Sequence, residues 1–202
     1  MKQNYEQILS QKEYLKLTGA NFINRLGDSI DMIAFTWLIY DLTGSASWSA
    51  IMFGVNMMPN VLIQPLAGAI VEKMEKKRIL ILTDVARGFL TACIAILFVR
   101  GLLKPWMLLA ITFLNNTLEA FHSPASTSFI PSILDKQYYD FGISFAQSSY
   151  RICELIGTGV GGILIASAGI FGAIICDAIS FILSALLIFC IHVKEESISS
   201  VK

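Results

Sequence analysis

Two apolar runs, Trp48 to Val71 and Ile79 to Val99, constrain the fold of this chain more than any other feature. Each is long enough to cross a bilayer as a helix, which takes about 20 mostly apolar residues. Where they meet lies a charged island, Gly68 to Leu80, which gathers Lys73, Lys76, Lys77 and Arg78 with Glu72 and Glu75. In a soluble protein such a cluster is a solvated face; between two spans it reads as a hairpin loop at a membrane surface. Composition agrees: 55% of residues are hydrophobic and only 15% charged, where a soluble domain carries roughly 25% charge. Net charge is zero and no basic tail is present, so nucleic acid is not an expected partner and the lipid bilayer is.

Six runs have spanning length: about Leu17–Tyr40, Trp48–Val71, Ile79–Val99, Pro105–Phe129, Gly142–Ala168 and Ile170–His192. The breaks between them carry turn chemistry, as in Asp41-Leu-Thr-Gly-Ser and Arg100-Gly-Leu-Leu-Lys-Pro. Ser167-Ala-Gly-Ile is the tightest break, and one long kinked segment competes with a turn there. The expected organisation is a polar segment 1–16, a six-helix transmembrane domain 17–192, and a tail 193–202. Ten loop cations (Lys2, Lys12, Lys16, Lys73, Lys76, Lys77, Arg78, Lys136, Lys194 and Lys202) fall on one side and two (Arg100 and Lys104) on the other. The excess of positive charge on the cytoplasmic side of cell-membrane proteins puts both termini and the island in the cytoplasm. The four cysteines lie in apolar runs without metal or disulfide spacing, and read as packing residues.

The chain also carries a weak internal repeat. Gly68 precedes Asp84 as Gly161 precedes Asp177, both at an offset of 93 residues. Chance similarity between Gly- and Ile-rich segments is the competing explanation. Read as a repeat, the offset divides the chain into three helices plus three, and an odd number of crossings inverts the second trio. Inverted repeats are a device of secondary transporters.

Ionisable residues at membrane depth are costly and mark functional sites. Arg25 and Asp28, Asp84 and Arg87, and Arg151 and Glu154 are opposite charges three apart, on one helical face. Local neutral pairs that hold helices together explain them, and this is the favoured reading of Asp84 and Arg87. Asp31, Asp177, and Glu119 with His122 lack an obvious local counter-charge. Asp28 and Asp31 form a like-charge pair of the kind that takes up and releases a proton. Histidine changes charge near neutral pH, so His122 and Glu119 could share a proton; the competing reading makes them water-accessible residues near a helix end. Asn56, Asn60, Asn115, Asn116 and other amides suggest a polar-lined cavity. Gly157, Gly161 and Gly162 suit close helix packing or a hinge.

These residues resemble the major facilitator superfamily. The island is similar to that family's loop pattern Gly-x-Leu-x-Asp-Arg-x-Gly-Arg-Lys-x-x-Leu: Gly68 and Leu80 match its ends, Glu72 and Lys73 stand for Asp-Arg, and Lys76 and Lys77 match the basic pair. Glu75 replaces the internal glycine. Gly157-Thr-Gly-Val-Gly-Gly resembles the antiporter motif Gly-Pro-x-x-Gly-Gly, with Thr158 at the proline. Asp41-Leu-Thr-Gly-Ser-Ala, Ser123-Pro-Ala-Ser-Thr-Ser-Phe-Ile-Pro and Asp177-Ala-Ile-Ser-Phe resemble the branch of macrolide-efflux and siderophore-export permeases. The resemblance implies half of a major facilitator fold, exporting small amphipathic compounds against proton entry by alternating access. It gives Glu72 and Lys73 a gating role with Asp84 or Arg87 as partners, and makes Asp28, Asp31, Asn115 and Glu119 the cavity residues.

Family members have two six-helix halves, so 202 residues leave three expectations: a homodimer or a pair with a separate second half, a truncated product without transport, or a fragment of a longer protein. No zinc-binding helix, nucleophile elbow or other catalytic constellation stands in the chain, so an enzyme, a metal site and a cofactor are not expected.

Overall fold

The computed structural model describes residues 11–192. Lys2, Lys194 and Lys202, counted above for orientation, lie outside these, as do most of segment 1–16 and all of 193–202. The described residues form α1 (Lys12–Thr43), α2 (Ala46–Leu62), α3 (Gln64–Val71), α4 (Lys76–Val99), α5 (Pro105–Phe129) and α6 (Tyr139–Phe189), with two short 3₁₀ turns between α5 and α6. No strand occurs among the described residues.

The helix ends follow the local chemistry. α1 stops at Gly44, whose left-handed backbone (φ 64°) lets its N–H reach the Tyr40 carbonyl. Pro59 and Pro65 bracket the bend of 41° between α2 and α3, since proline cannot donate to the helical ladder. The charged island is more helical than its composition suggests. Gly68–Val71 complete α3 and Lys76–Leu80 open α4, leaving residues 72–75 as the link. Glu75 sits in extended backbone at the start of α4, so this turn needs no glycine.

α6 extends over 51 residues but is interrupted at Gly169, whose angles are non-helical (φ 71°, ψ 177°). A straight helix of that length would run about 75 Å. Instead both of its ends pack at the same end of α1. Tyr14 Oη donates to the Gly142 carbonyl at 2.8 Å, and Ile188 joins Tyr14 and Leu17 in one apolar cluster. The chain therefore reverses at Gly169, a conformation open to glycine at little cost, and α6 consists of two limbs, 139–168 and 170–189. The tightest sequence break is thus a turn.

Counting α2–α3 as one bent rod and the two limbs separately gives six rods among the described residues. By length and composition alone, two helices, or three if the bent pair counts as one, are apolar enough to cross a membrane. α1 and α5 are long enough, at 32 and 25 residues, but carry buried polar groups. The outer surface of α4 and α6 is apolar: Leu82, Phe89, Leu155 and Ile163 point outward at 71%, 67%, 75% and 71% exposure, which suits lipid rather than water.

Inside, the bundle is layered. One apolar cluster joins Tyr14, Leu17, Leu80, Phe129 and Ile188. A second joins Ile30, Phe35, Leu38, Ile94, Leu108 and Ile174. Between them runs a layer of polar and charged side chains from α1, α4, α5 and both limbs of α6.

Candidate functional site: a charged layer inside the bundle

The charged layer is assembled by helix packing and not by local spacing. Arg87, 3% exposed on α4, donates to Glu119 Oε2 of α5 at 2.6 Å and to Asn24 Oδ1 of α1 at 3.3 Å. Its second terminal nitrogen bonds Asp28 of α1, and its guanidinium lies 4.3 Å from the ring centre of Phe181. Arg25 adds longer contacts, 3.8 Å to Asp28 and 3.4 Å to Glu119. Two arginines thus balance two carboxylates.

Asp84 belongs to a second group. It is fully buried and accepts from Asn24 Nδ2 at 2.8 Å and Ser184 Oγ at 2.5 Å. His122 Nε2 lies 3.2 Å from Asp84 Oδ1, close enough for an ion pair, although its ring N–H is not aligned for a hydrogen bond. The expectation that Asp84 and Arg87 neutralise one another locally is therefore corrected: each turns to other helices. The reading of His122 as water-accessible is corrected too, since it is 3% exposed; Glu119, 7% exposed, borders the open cavity described below.

Asp84 and Asp177 stand in a reciprocal arrangement. Ser184, on the limb of Asp177, donates to Asp84; Thr91, on the helix of Asp84, donates to Asp177 Oδ2 at 3.3 Å. Both hydroxyls lie seven residues after the aspartate of their own helix, and Gly88 packs against Phe181 midway between the two bonds. α4 and the 170–189 limb are antiparallel neighbours through this contact. Asp31 is partly buried, and its Oδ1 is shielded and unpartnered.

The remaining expected residues separate from this layer. Arg151 and Glu154 pair at 2.8 Å with side chains 81% and 41% exposed, an arrangement of little energetic weight. Glu154 lines an open cavity with Arg25, Asp28, Asn56, Asn116 and Glu119. The amides divide: Asn56, Asn60 and Asn116 face that cavity, whereas Asn24 and Asn115 are spent inside the layer. Of the motif glycines, Gly157 packs on Ser29 and Gly161 on Ile30, while Gly162 faces open space. Cys153 is buried, but Cys176 and Cys190 are exposed and do no packing inside the bundle.

Lys76 and Lys77 of the island bond backbone carbonyls. Lys77 Nζ donates to the carbonyls of Phe189 and Ile191 at 2.9 and 2.8 Å, and Lys16 Nζ to that of Cys190 at 2.8 Å. Two lysines thereby satisfy the open carbonyls where α6 ends. Lys76 donates back to the Glu72 carbonyl at 2.8 Å. Asp84 and Arg87 are engaged by the partners given above. Ser184, which holds Asp84, escaped sequence reasoning, and only its polarity within an apolar run could have flagged it; Asn24, one of the amides expected to line a cavity, bonds Asp84 instead.

The sequence profile of a family described as "Transmembrane secretion effector" matches residues 7–201. The chain is similar to the MFS-type transporter YkuC of Bacillus subtilis, with 24% identity over 191 residues, covering 94% of this chain and 44% of the relative. It is 26% identical over 181 residues to the staphyloferrin A transporter of Staphylococcus aureus (89% and 46% covered). With macrolide efflux protein A of Streptococcus pyogenes it shares 19% over 183 residues (91% and 45%). The chain spans about half the length of the curated relatives it matches.

Proposed function

Because the chain belongs to the transmembrane secretion effector family of major facilitator transporters, we propose that it is one half of a secondary transporter. In this reading it exports a small amphipathic compound by alternating access, coupled to proton entry. The observation that carries it is the open cavity lined by Arg25, Asp28, Asn56, Asn116, Glu119 and Glu154. Its walls come from α1, α2, α5 and α6, and it backs directly onto the buried charged layer. Polar and ionised groups at this depth are kept at a cost, which a pathway for solute and ion offsets.

All six rods cross the cell membrane, with both termini and the 72–75 link in the cytoplasm, and residues 17–192 form the transmembrane domain. The reciprocal Asp84–Ser184 and Thr91–Asp177 bonds support the three-plus-three inverted repeat. Asp84 and Asp177, and likewise Thr91 and Ser184, stand at the sequence offset of 93, and the two bonds exchange these equivalent residues across antiparallel helices, as a two-fold axis in the membrane plane requires. The cavity is open on one side, so a second six-helix half or a second copy of this chain completes it. Gating falls to Glu72 and Lys73 at that junction.

Reconstitution tests the reading. Vesicles containing the chain, alone or with a candidate second half, should extrude an amphipathic dye against its gradient only while a proton gradient is imposed. Extrusion absent from both preparations, or indifferent to the proton gradient, refutes it.

A further inference from the structure

Two of the carboxylates in and beside the charged layer have no counter-charge. The layer holds Asp28, Asp31, Asp84, Glu119 and Asp177. Against them stand the guanidiniums of Arg25 and Arg87 and the imidazole of His122. Arg25 and Arg87 are engaged by Asp28 and Glu119, and His122 by Asp84. Even with His122 charged, two negative charges are left over. The surplus falls on Asp31 and Asp177, and these two also carry the layer's carboxylate oxygens that are buried without a hydrogen-bond partner, Oδ1 in each.

The repeat sharpens this. Asp84 is supplied with an amide, a hydroxyl and an imidazole. Its counterpart Asp177 is also fully buried but receives only Thr91, on Oδ2. Thr91 is itself held by Asn115 Nδ2 at 3.2 Å. Asp177 Oδ1 is turned toward α1, where the side-chain space of Gly27 is taken by Asp177 and Ser180. Asp31 lies one helical turn beyond Gly27 on the same face, and its carboxyl is within electrostatic reach of Asp177, Asp28 and Arg87. The charged groups within electrostatic reach of Asp177 are Asp31, unpaired like it, and Asp28 and Arg87, already paired.

An isolated buried carboxylate is costly enough that it neutralises instead. We propose that Asp31 and Asp177 form a proton-loading site between α1 and the 170–189 limb, distinct from the arginine-balanced carboxylates at the cavity. Each carboxylate takes one proton and becomes a neutral acid; no electron moves, and the layer then carries no net charge. As the site of coupling this rests on the transporter reading above, but the occupancy of the site does not.

A lipid-soluble carbodiimide tests it, since the reagent attacks only protonated carboxyls. Applied to the full chain in lipid vesicles and mapped by mass spectrometry, it should label Asp31 and Asp177 roughly tenfold or more above Asp28 and Glu119, the factor for one pK unit of separation. Labelling should fall as pH rises and ignore replacement of potassium by sodium. Because the reagent must reach a packed site, infrared spectra of Asp177→Asn and Asp31→Asn give a second reading: each should lose absorption of a protonated carboxyl. Labelling confined to Asp28 or Glu119, suppression by sodium at constant pH, or unchanged infrared absorption in both variants overturns the proposal. Labelling as expected in vesicles that extrude no dye would refute the transport reading and leave the proton site standing.

Discussion

Replacing Arg87 by Met tests whether the charged layer depends on one side chain. Arg87 is 4% exposed as a side chain and Glu119 is 9%, so water does not screen their bond. The variant removes charge-assisted bonds to Asp28 and Glu119, a bond to Asn24 and a cation–π contact with Phe181. It also leaves two carboxylates to Arg25 alone. Breaking a buried pair on one side costs about 3–5 kcal/mol, mostly because the survivor stays buried without its partner. For a domain near 200 residues that lowers the unfolding midpoint by on the order of 10 °C. Arg25→Gln gives the contrast: its side chain is 29% exposed and its contacts are 3.4 and 3.8 Å long, so about 1 kcal/mol or less is expected. The assay is thermal unfolding of the purified protein in detergent, with Glu119→Gln as second member of a double-mutant cycle. Arg87→Met with Glu119→Gln should lose clearly less than the sum of the single variants. Additive losses, or Arg25→Gln costing as much as Arg87→Met, would refute the assignment of Arg87 as the organising cation.

Three further outcomes are expected. Gly157→Ala should destabilise by about 1–3 kcal/mol through overpacking, because its added carbon would stand 2.6 Å from Ser29 Cβ. Gly162→Ala meets open space and should leave the same thermal midpoint unchanged. Lys77→Met should raise amide exchange at residues 189–191 relative to the 80–90 segment of α4, since it unseats two carbonyl contacts; equal protection would show that Lys16 suffices. Glu13, at the start of α1, has a carboxyl below its ordinary range: burial opposes the charge, but bonds from Lys16 and the His192 N–H outweigh it. A carboxyl lowered in the folded state adds stability above its unfolded value and loses it as pH falls through the folded one. Protection at residue 192 should therefore decline in acid in the wild type but not in Glu13→Gln, whose protection is pH-independent.

Much of the architecture was legible in the sequence. The apolar runs, the turn at Ser167-Ala-Gly-Ile and the glycine at the α1 terminus are local signals, and each lies within a few residues of the effect it produces. The 93-residue offset aligns Thr91 with Ser184 as it aligns Asp84 with Asp177, and each hydroxyl bonds the aspartate of the other helix. The roles within the island were less legible. Lys77 reads as part of a charged loop motif, yet its ammonium caps carbonyls more than a hundred residues away.

What the sequence alone determined is which charges lie within the long apolar runs and on which face of each helix, because helical periodicity depends on spacing along one chain. Which charges neutralise one another was decided only by tertiary structure. Asp84 and Arg87 are neighbours on α4, and spacing pairs them. In the folded bundle, α5 and α1 bring Glu119 and Asp28 to Arg87, while α5 and the last limb bring His122 and Ser184 to Asp84. Asp31 and Asp177 are left over. A surplus of this kind belongs to no residue in isolation, since it exists only once packed helices have fixed which carboxylate faces which cation in a medium without water.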